Sequence, residues 1–241
     1  YPYLEGDEEP TDAINAGNDL HADFAASVLG LDYSDFKARL KEDVQLSNMR
    51  QAAKPVNFGL PGGLGPATLV EYARTNYQTK LCEVTGKAEV CGAEKFLHNR
   101  SGKQICKACF DIASELKKAW FAKWTEMEWY LENWIAGLTE DPRGGQVQVL
   151  GPDPDKLGLI RGGCNFTSGA NLPFQGLAAR GAKEALFDVS REAYCDTKSP
   201  LYGARPVVFI HDEIIAEIPL TDHVHEAAMR MAEIMVASMR R

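Results

Sequence analysis

His211, Asp212 and Glu213 stand between two apolar runs, residues 207–210 and 214–218. The pattern reads strand, acidic turn, strand, which puts carboxylates at the exposed tip of a hairpin that its strands hold rigid. Adjacent acids on such a tip repel one another unless a cation sits over them, and a divalent metal is the natural occupant. Far upstream, Arg50, Lys54 and Phe58 recur at intervals of four within residues 48–59. On a helix that spacing aligns two cations and an aromatic ring along one stripe. Like charges four residues apart are unfavourable by themselves, so the stripe asks for an external polyanion. A triphosphate fits, with the ring left for a sugar or base.

The elements that must position these groups read as an α+β assembly. Residues 19–29 and 44–59 have helical periodicity, joined by a polar stretch over 32–43, and Pro61-Gly62-Gly63 ends the second helix. Pro55 lies inside that second helix. It removes an amide donor and disfavours helical geometry at Lys54, at a cost of about 3 kcal/mol in a regular interior, so a kink or a helix start is expected there. Residues 69–77 and 111–136 are expected helical, the latter carrying Trp120, Phe121, Trp124, Trp129 and Trp134 as packing aromatics. A short hairpin is expected over 146–150 and 157–161, and a long helix over 171–194.

With 45% hydrophobic and 25% charged residues over 241 positions, the chain can bury a core in one or two domains. No run of about eighteen apolar residues occurs, so no membrane span is expected, and no signal-peptide pattern is present. The net charge of −8 argues against a nucleic-acid binder that works through a diffuse basic surface. DNA would have to be held by local cationic stripes. The Gly-x4-Gly-Lys-Ser/Thr loop that cradles phosphates in many small-molecule transferases is missing.

Four of the six cysteines fall within residues 82–109. Cys106 and Cys109 have the spacing of half a zinc knuckle, and Cys82 with Cys91 supplies a second pair, His98 being an alternative to Cys91. A loop of this length with little apolar content has few other means of folding. Lys87, Lys95, Arg100, Lys103 and Lys107 outnumber Glu83, Glu89 and Glu94 in the same stretch, which suits a contact with a DNA backbone. Cys164 and Cys195 read as ordinary thiols.

Taken in order, four blocks resemble the polymerase domain of a family A DNA polymerase, of the bacterial DNA polymerase I type and especially its phage branch. They are Asp19-Leu20-His21 with Ala25; Arg50, Lys54 and Phe58-Gly59; Asn171-Leu172-Pro173-Phe174-Gln175-Gly176 with Ala178-Ala179; and His211-Asp212-Glu213. The resemblance implies a mainly helical fingers subdomain plus part of an antiparallel-sheet palm, with a small Cys-rich insertion. Fingers would span 1–81 with the nucleotide-binding helix at about 45–59, the insertion 82–110, the rest of the fingers and a connecting hairpin 111–162, and a partial palm 163–241.

The implied activity is that of a DNA-directed DNA polymerase, transferring dNTPs to a primer 3′-hydroxyl by two-metal catalysis with Mg2+. By the same carry-over Asp212 binds Mg2+, Glu213 is an auxiliary acid near the primer end, and His211 positions the primer backbone. His21, Arg50 and Lys54 hold triphosphate oxygens, and Phe58 stacks beside the incoming nucleotide. Asn171 and Gln175 contact primer and template in the minor groove. The cysteine spacing, and not the resemblance, leads to the expectation that Cys82, Cys91, Cys106 and Cys109 hold a structural Zn2+, favoured over disulfides in a cytoplasmic enzyme. Primer–template DNA and dNTPs are the expected partners, with further polymerase domains or a processivity factor; the expected setting is cytoplasmic, the host cytoplasm if phage-encoded. A block bearing the first catalytic aspartate is absent, so the chain reads as an interior slice, expected to be inactive alone, and a non-catalytic DNA-binding polymerase fragment is the alternative. The pattern departs from the family at Gly62, where many members carry a Tyr, and at Thr167, where an Arg is common.

Overall fold

Three early helices each begin at an aspartate whose carboxylate takes the place of missing backbone partners. Asp19 accepts from the His21 and Ala22 amides to start α1, Leu20–Leu29; Asp32 caps α2, Tyr33–Arg39; and Asp43 accepts from Gln45 and Leu46 to start α3, Val44–Gly59. Gly30 closes α1 in the left-handed region at φ 66°, its amide returning to Ala26 and Ser27 carbonyls. The computed structural model describes residues 16–99, 101–141, 143–149, 158–210 and 213–239. His211 and Asp212 therefore lie outside the described residues.

The chain divides into two units, residues 1–145 with 163–170 and residues 146–162 with 171–241. In the first, α1 to α3 are followed by α4 (Pro66–Tyr77), α5 (Leu81–Val84), an antiparallel pair β1 (Lys95–His98) and β2 (Lys103–Cys106), then α6 (Lys107–Lys123) and α7 (Thr125–Trp129). A π-helical stretch at Tyr130–Ile135 and α8 (Ala136–Thr139) follow. The core gathers Phe24, Phe36, Val56, Leu60, Leu69, Leu81, Ile112, Leu116 and Trp120. Strands β3 (Gly145–Val149) and β4 (Leu159–Cys164) pair with each other.

Helix α9 (Phe166–Asn171) lies in the first unit up to Ala170; in the second unit Asn171 leads into a π-helical turn, Leu172–Gly176, then α10 (Leu177–Cys195), the antiparallel pair β5 (Arg205–Ile210) and β6 (Glu213–Glu217), and α11 (Val224–Met239). Helices α10 and α11 run antiparallel: a Cβ on Gly181 would stand 2.6 Å from Met239 Sδ, while eleven residues on Glu192 meets Arg230. A side chain at Gly181 would displace the Met239 thioether, while the Ser238 and Met239 backbone stands 3.4 and 3.5 Å away.

Several local expectations change. The stretch 32–43 contains helix α2, because Asp32 caps it and Phe36 is fully buried. Helix α3 runs through Pro55 without a break; Ala52, Ala53, Val56 and Pro55 itself are buried, and that packing outweighs one lost backbone bond. The helix expected over 111–136 starts at Lys107 and breaks at Trp124, whose backbone leaves the helical region at φ −121°, ψ 76°. Its ring lies 4.9 Å from Trp120 and 5.7 Å from Phe24, so aromatic packing decides the break. The long helix over 171–194 is three pieces, since Pro173 has no N–H to give and the bonding shifts to a π turn there. Strands β1 and β2 fall inside a segment expected to be irregular.

Candidate functional site

Asp19 builds the site through both of its oxygens. While Oδ1 caps α1, Oδ2 takes the Arg50 Nε at 2.8 Å, with the Lys37 ammonium 3.9 Å away. Burial works against the Asp19 charge, but the Arg50 bond, the Ala22 amide and the two cations outweigh it and hold the carboxyl below its ordinary range. One residue therefore joins the start of α1 to the middle of α3, which brings His21 beside the cationic stripe. The acid that Arg50 lacks on its own helix comes from another one. Lys54, four residues on, has no carboxylate partner among the described residues, so its charge is free for an anion.

His21 is held in one tautomer. Asn57 Oδ1 accepts the Trp120 indole N–H at 3.2 Å, so its amide nitrogen faces the other way and donates to the Leu20 carbonyl at 3.0 Å and to His21 Nδ1 at 3.2 Å. His21 Nδ1 is then an acceptor, and Nε2 carries the proton. Burial pushes the imidazole pKa down; Arg50 and Lys54 add to that shift against Asp19. The result is a neutral ring with one N–H to give, next to two cations. That set suits phosphate oxygens.

Phe58 is 54% exposed while Val56 and Gly59 beside it are buried, so its ring belongs to the surface of α3 and not to the core. It lies 5.0 Å from the His21 ring and stacks nearly parallel to Tyr77, at 6.2 Å and 11°. Tyr77 in turn meets Tyr72 edge-on at 5.5 Å, and burial together with the Tyr72 hydroxyl raises the Tyr77 phenol pKa. Asn57, Trp120 and Tyr77 were not legible as site residues: each is recruited from outside the spaced motif. Gly62 closes the turn Leu60–Gly62, and Gly63 follows at φ 75°, where a side chain would collide with Phe166. The positive φ and the nearby Phe166 ring account for the glycine at 63.

The same unit gathers Cys82, Cys91, Cys106 and Cys109, whose Sγ atoms all lie within 4.8 Å of one another, a group able to hold a metal. His98, the alternative ligand, pairs across the hairpin with Lys103 and bonds Ser101, while Lys95 is the residue opposite Cys106. Three strand residues separate those ends, about 10 Å. Cys91 and not His98 completes the set. Burial raises the Cys82 thiol to about 11 and also pushes Cys109 up; for Cys106 burial is outweighed by hydrogen bonds from Cys109 and Gly92, which lower it to about 7.

In the second unit, Asn171 ends α9, half-buried, and Gln175 stands exposed four residues later in the π turn. Glu213 is exposed and pairs with Ile210 across β5 and β6, so residues 211 and 212 are all that separate the strands. Among the described residues the thiol group is the one convergence of His, Cys, Asp or Glu side chains suited to a metal, and Glu213 belongs to none.

No protein-family model matches the chain. A thermostable DNA polymerase I of Thermus filiformis is 26% identical over 235 residues, which cover 97% of this chain and 22% of that protein. The chain is thus similar to part of a DNA polymerase I along almost all its own length, and spans about a fifth of the length of that relative. No helix among the described residues is long and apolar enough to cross a membrane.

Proposed function

We propose that the chain is the fingers and part of the palm of a template-directed DNA polymerase of family A, and that α3 with His21 forms its site for the triphosphate of an incoming dNTP. The observation that carries the reading is the convergence of a neutral, tautomer-fixed His21, an anchored Arg50 and a Lys54 with no carboxylate partner among the described residues, beside an exposed Phe58. Similarity to a DNA polymerase I over nearly the whole chain supports it.

In this reading Arg50, fixed through Nε by Asp19, turns its remaining guanidinium donors to the phosphates, and Lys54 neutralises charge as pyrophosphate leaves. His21 Nε2–H donates to a phosphate oxygen, and Asn57 keeps it from offering an acceptor there instead. Phe58, backed by Tyr77, stacks beside the sugar and base. Asn171 and Gln175 touch the minor-groove edge of primer and template, where acceptor positions are alike for all pairs. Asp212 is the proposed Mg2+ ligand, with Glu213 and His211 beside the primer end. Bound Mg2+ would lower the pKa of the primer hydroxyl and offset charge at the phosphorus.

Binding separates the parts of this proposal. Titration of the chain with dATP and with tripolyphosphate should give saturable binding of both. Lys54→Ala should weaken both by roughly 10- to 100-fold, the worth of a charged hydrogen bond. Phe58→Ala should weaken dATP while leaving tripolyphosphate unchanged. Absence of binding by either ligand, or a Lys54→Ala chain that binds as well as the parent, rejects the site. Primer extension by the polymerase that contains this chain, lost in Asp212→Asn, tests the catalytic assignment.

A further inference from the structure

Cys82, Cys91, Cys106 and Cys109 reach one point from four places: helix α5, the loop after it, the end of β2 and the first turn of α6. Cys82 and Cys109 sulfurs are 3.3 Å apart, and Cys91 and Cys109 sulfurs 3.6 Å. Bonded sulfurs would stand about 2.05 Å apart. Four thiolates each about 2.3 Å from a central zinc stand about 3.8 Å from one another. The observed spread belongs to the second arrangement.

The surroundings suit thiolates. Gly92 N–H points to Cys106 Sγ at 3.2 Å, and Arg74 Nη2 donates to Cys91 Sγ at 3.3 Å. Donors of this kind orient the sulfurs and offset the charge of about −2 that four thiolates leave on a zinc ion. Hydrophobic burial anchors the insertion at a few points, with Ile105 in the main core and Phe96 edge-on to Phe110 at 5.1 Å. Its strands are four residues each, Val90 and Leu97 are exposed, and an isolated two-stranded hairpin is marginal in water. Cys82, Cys106 and Cys109 are nevertheless buried in the main core, so whatever closes the cluster also ties the insertion to the helices.

Helix α6 carries the consequence further. Cys109 lies in its first turn and Trp120 eleven residues on, about 16 Å along the axis. Trp120 gives the indole N–H that orients Asn57, which fixes His21. We infer that the four cysteines form a closed structural zinc centre that holds the 82–109 insertion and fixes the start of α6, so that Trp120 keeps Asn57 and His21 in place. With all four positions taken by protein sulfur, the metal has no open site for chemistry. The coupling runs through the packing of one helix and holds whether or not the neighbouring site takes a nucleotide.

The test is metal analysis of the full chain purified under reducing conditions, followed by cobalt substitution. About one zinc per chain and the absorption of a tetrahedral all-thiolate cobalt site are expected. Cys195→Ser, outside the cluster, should keep the metal, and Cys91→Ser should lose most of it. Should Cys91→Ser fail to fold, the parent chain's zinc content and cobalt spectrum decide by themselves. A parent chain with far less than one zinc, no thiolate–cobalt bands, or cluster cysteines joined as disulfides in mass spectra overturns the centre. For the coupling, removal of zinc by a strong chelator should speed hydrogen exchange of the Trp120 indole proton at least tenfold. Exchange unchanged after complete zinc removal overturns that part.

Discussion

The two units manage charge and apolar surface in opposite ways. In the first, Phe24, Trp120 and Trp124 pack together in a large apolar core while Phe58 stays at the surface, and the charged groups around it are anchored by pairs such as Arg50–Asp19. In the second, the charges are turned inward: Glu192 and Asp188 are buried, and Glu192 takes Arg230 through two nitrogens at 2.7 and 3.0 Å while accepting from Ser199. Its hairpin leaves Val207, Phe209, Ile210 and Ile215 exposed, over a small core of Ala185, Val189, Leu201 and Ile234. In the first unit Lys54, partly exposed to water, has no carboxylate partner among the described residues. The second depends on an ion pair and on close helix packing for much of its order.

The largest expected effect follows from the core of the first unit. Trp120→Ala should cost about 3–5 kcal/mol in denaturant unfolding, from lost burial and the cavity left behind. Trp120→Phe keeps most of the volume but strands Asn57 Oδ1, for a smaller loss of about 1–3 kcal/mol. If Trp120→Ala costs under about 1 kcal/mol, the first unit is not the better packed of the two.

Next comes the helix pair of the second unit. Gly181→Val should lose about 1–3 kcal/mol, because its side chain would press on Met239 and on the Ser238 backbone. Faster amide exchange confined to α10 and α11 is the readout. Unaltered exchange would mean that the helices do not approach at Gly181.

The ion pair gives a pH signature of similar size. The Arg230 bond, with burial opposing and Ser199 assisting, holds the Glu192 carboxyl below its ordinary value. A carboxyl depressed in the folded state contributes stability that is complete above the unfolded value, near 4.3, and is lost as pH falls through the folded one. Urea midpoints should therefore fall below about pH 4.5 more steeply for the parent than for Arg230→Gln, which at neutral pH is already about 1–3 kcal/mol less stable. Parallel curves for the two proteins would remove the ion pair from the comparison.

The smallest effect is expected on the hairpin. Val207→Thr and Ile215→Thr lie on exposed apolar positions and should change stability by no more than about 0.5 kcal/mol. A loss above 1 kcal/mol in the chain would show that these side chains are covered in solution.

The spacing of Arg50, Lys54 and Phe58, the clustering of four cysteines, and the strand pattern around residues 211–213 were legible because each depends on period and residue type alone. Local backbone events were less so. The break at Trp124 and the π turn at Leu172–Gly176 come from ring packing and from a proline's missing donor acting within a fold. Asn57 carries no motif, and its role appears only when Trp120 arrives from sixty-three residues away.

By itself, then, the chain's order of residues determined which groups are available: two cations and a ring on one helix face, four thiols in one insertion, acids at one hairpin. Tertiary structure decided which of them meet. It gave Arg50 an acid from another helix, set the proton on His21 through Asn57, and chose Cys91 over His98 by placing the histidine at the far end of a short hairpin. Periodicity along a chain reports which face a residue occupies, but a hydrogen bond or a metal ligand depends on distances between faces, and only packing fixes those.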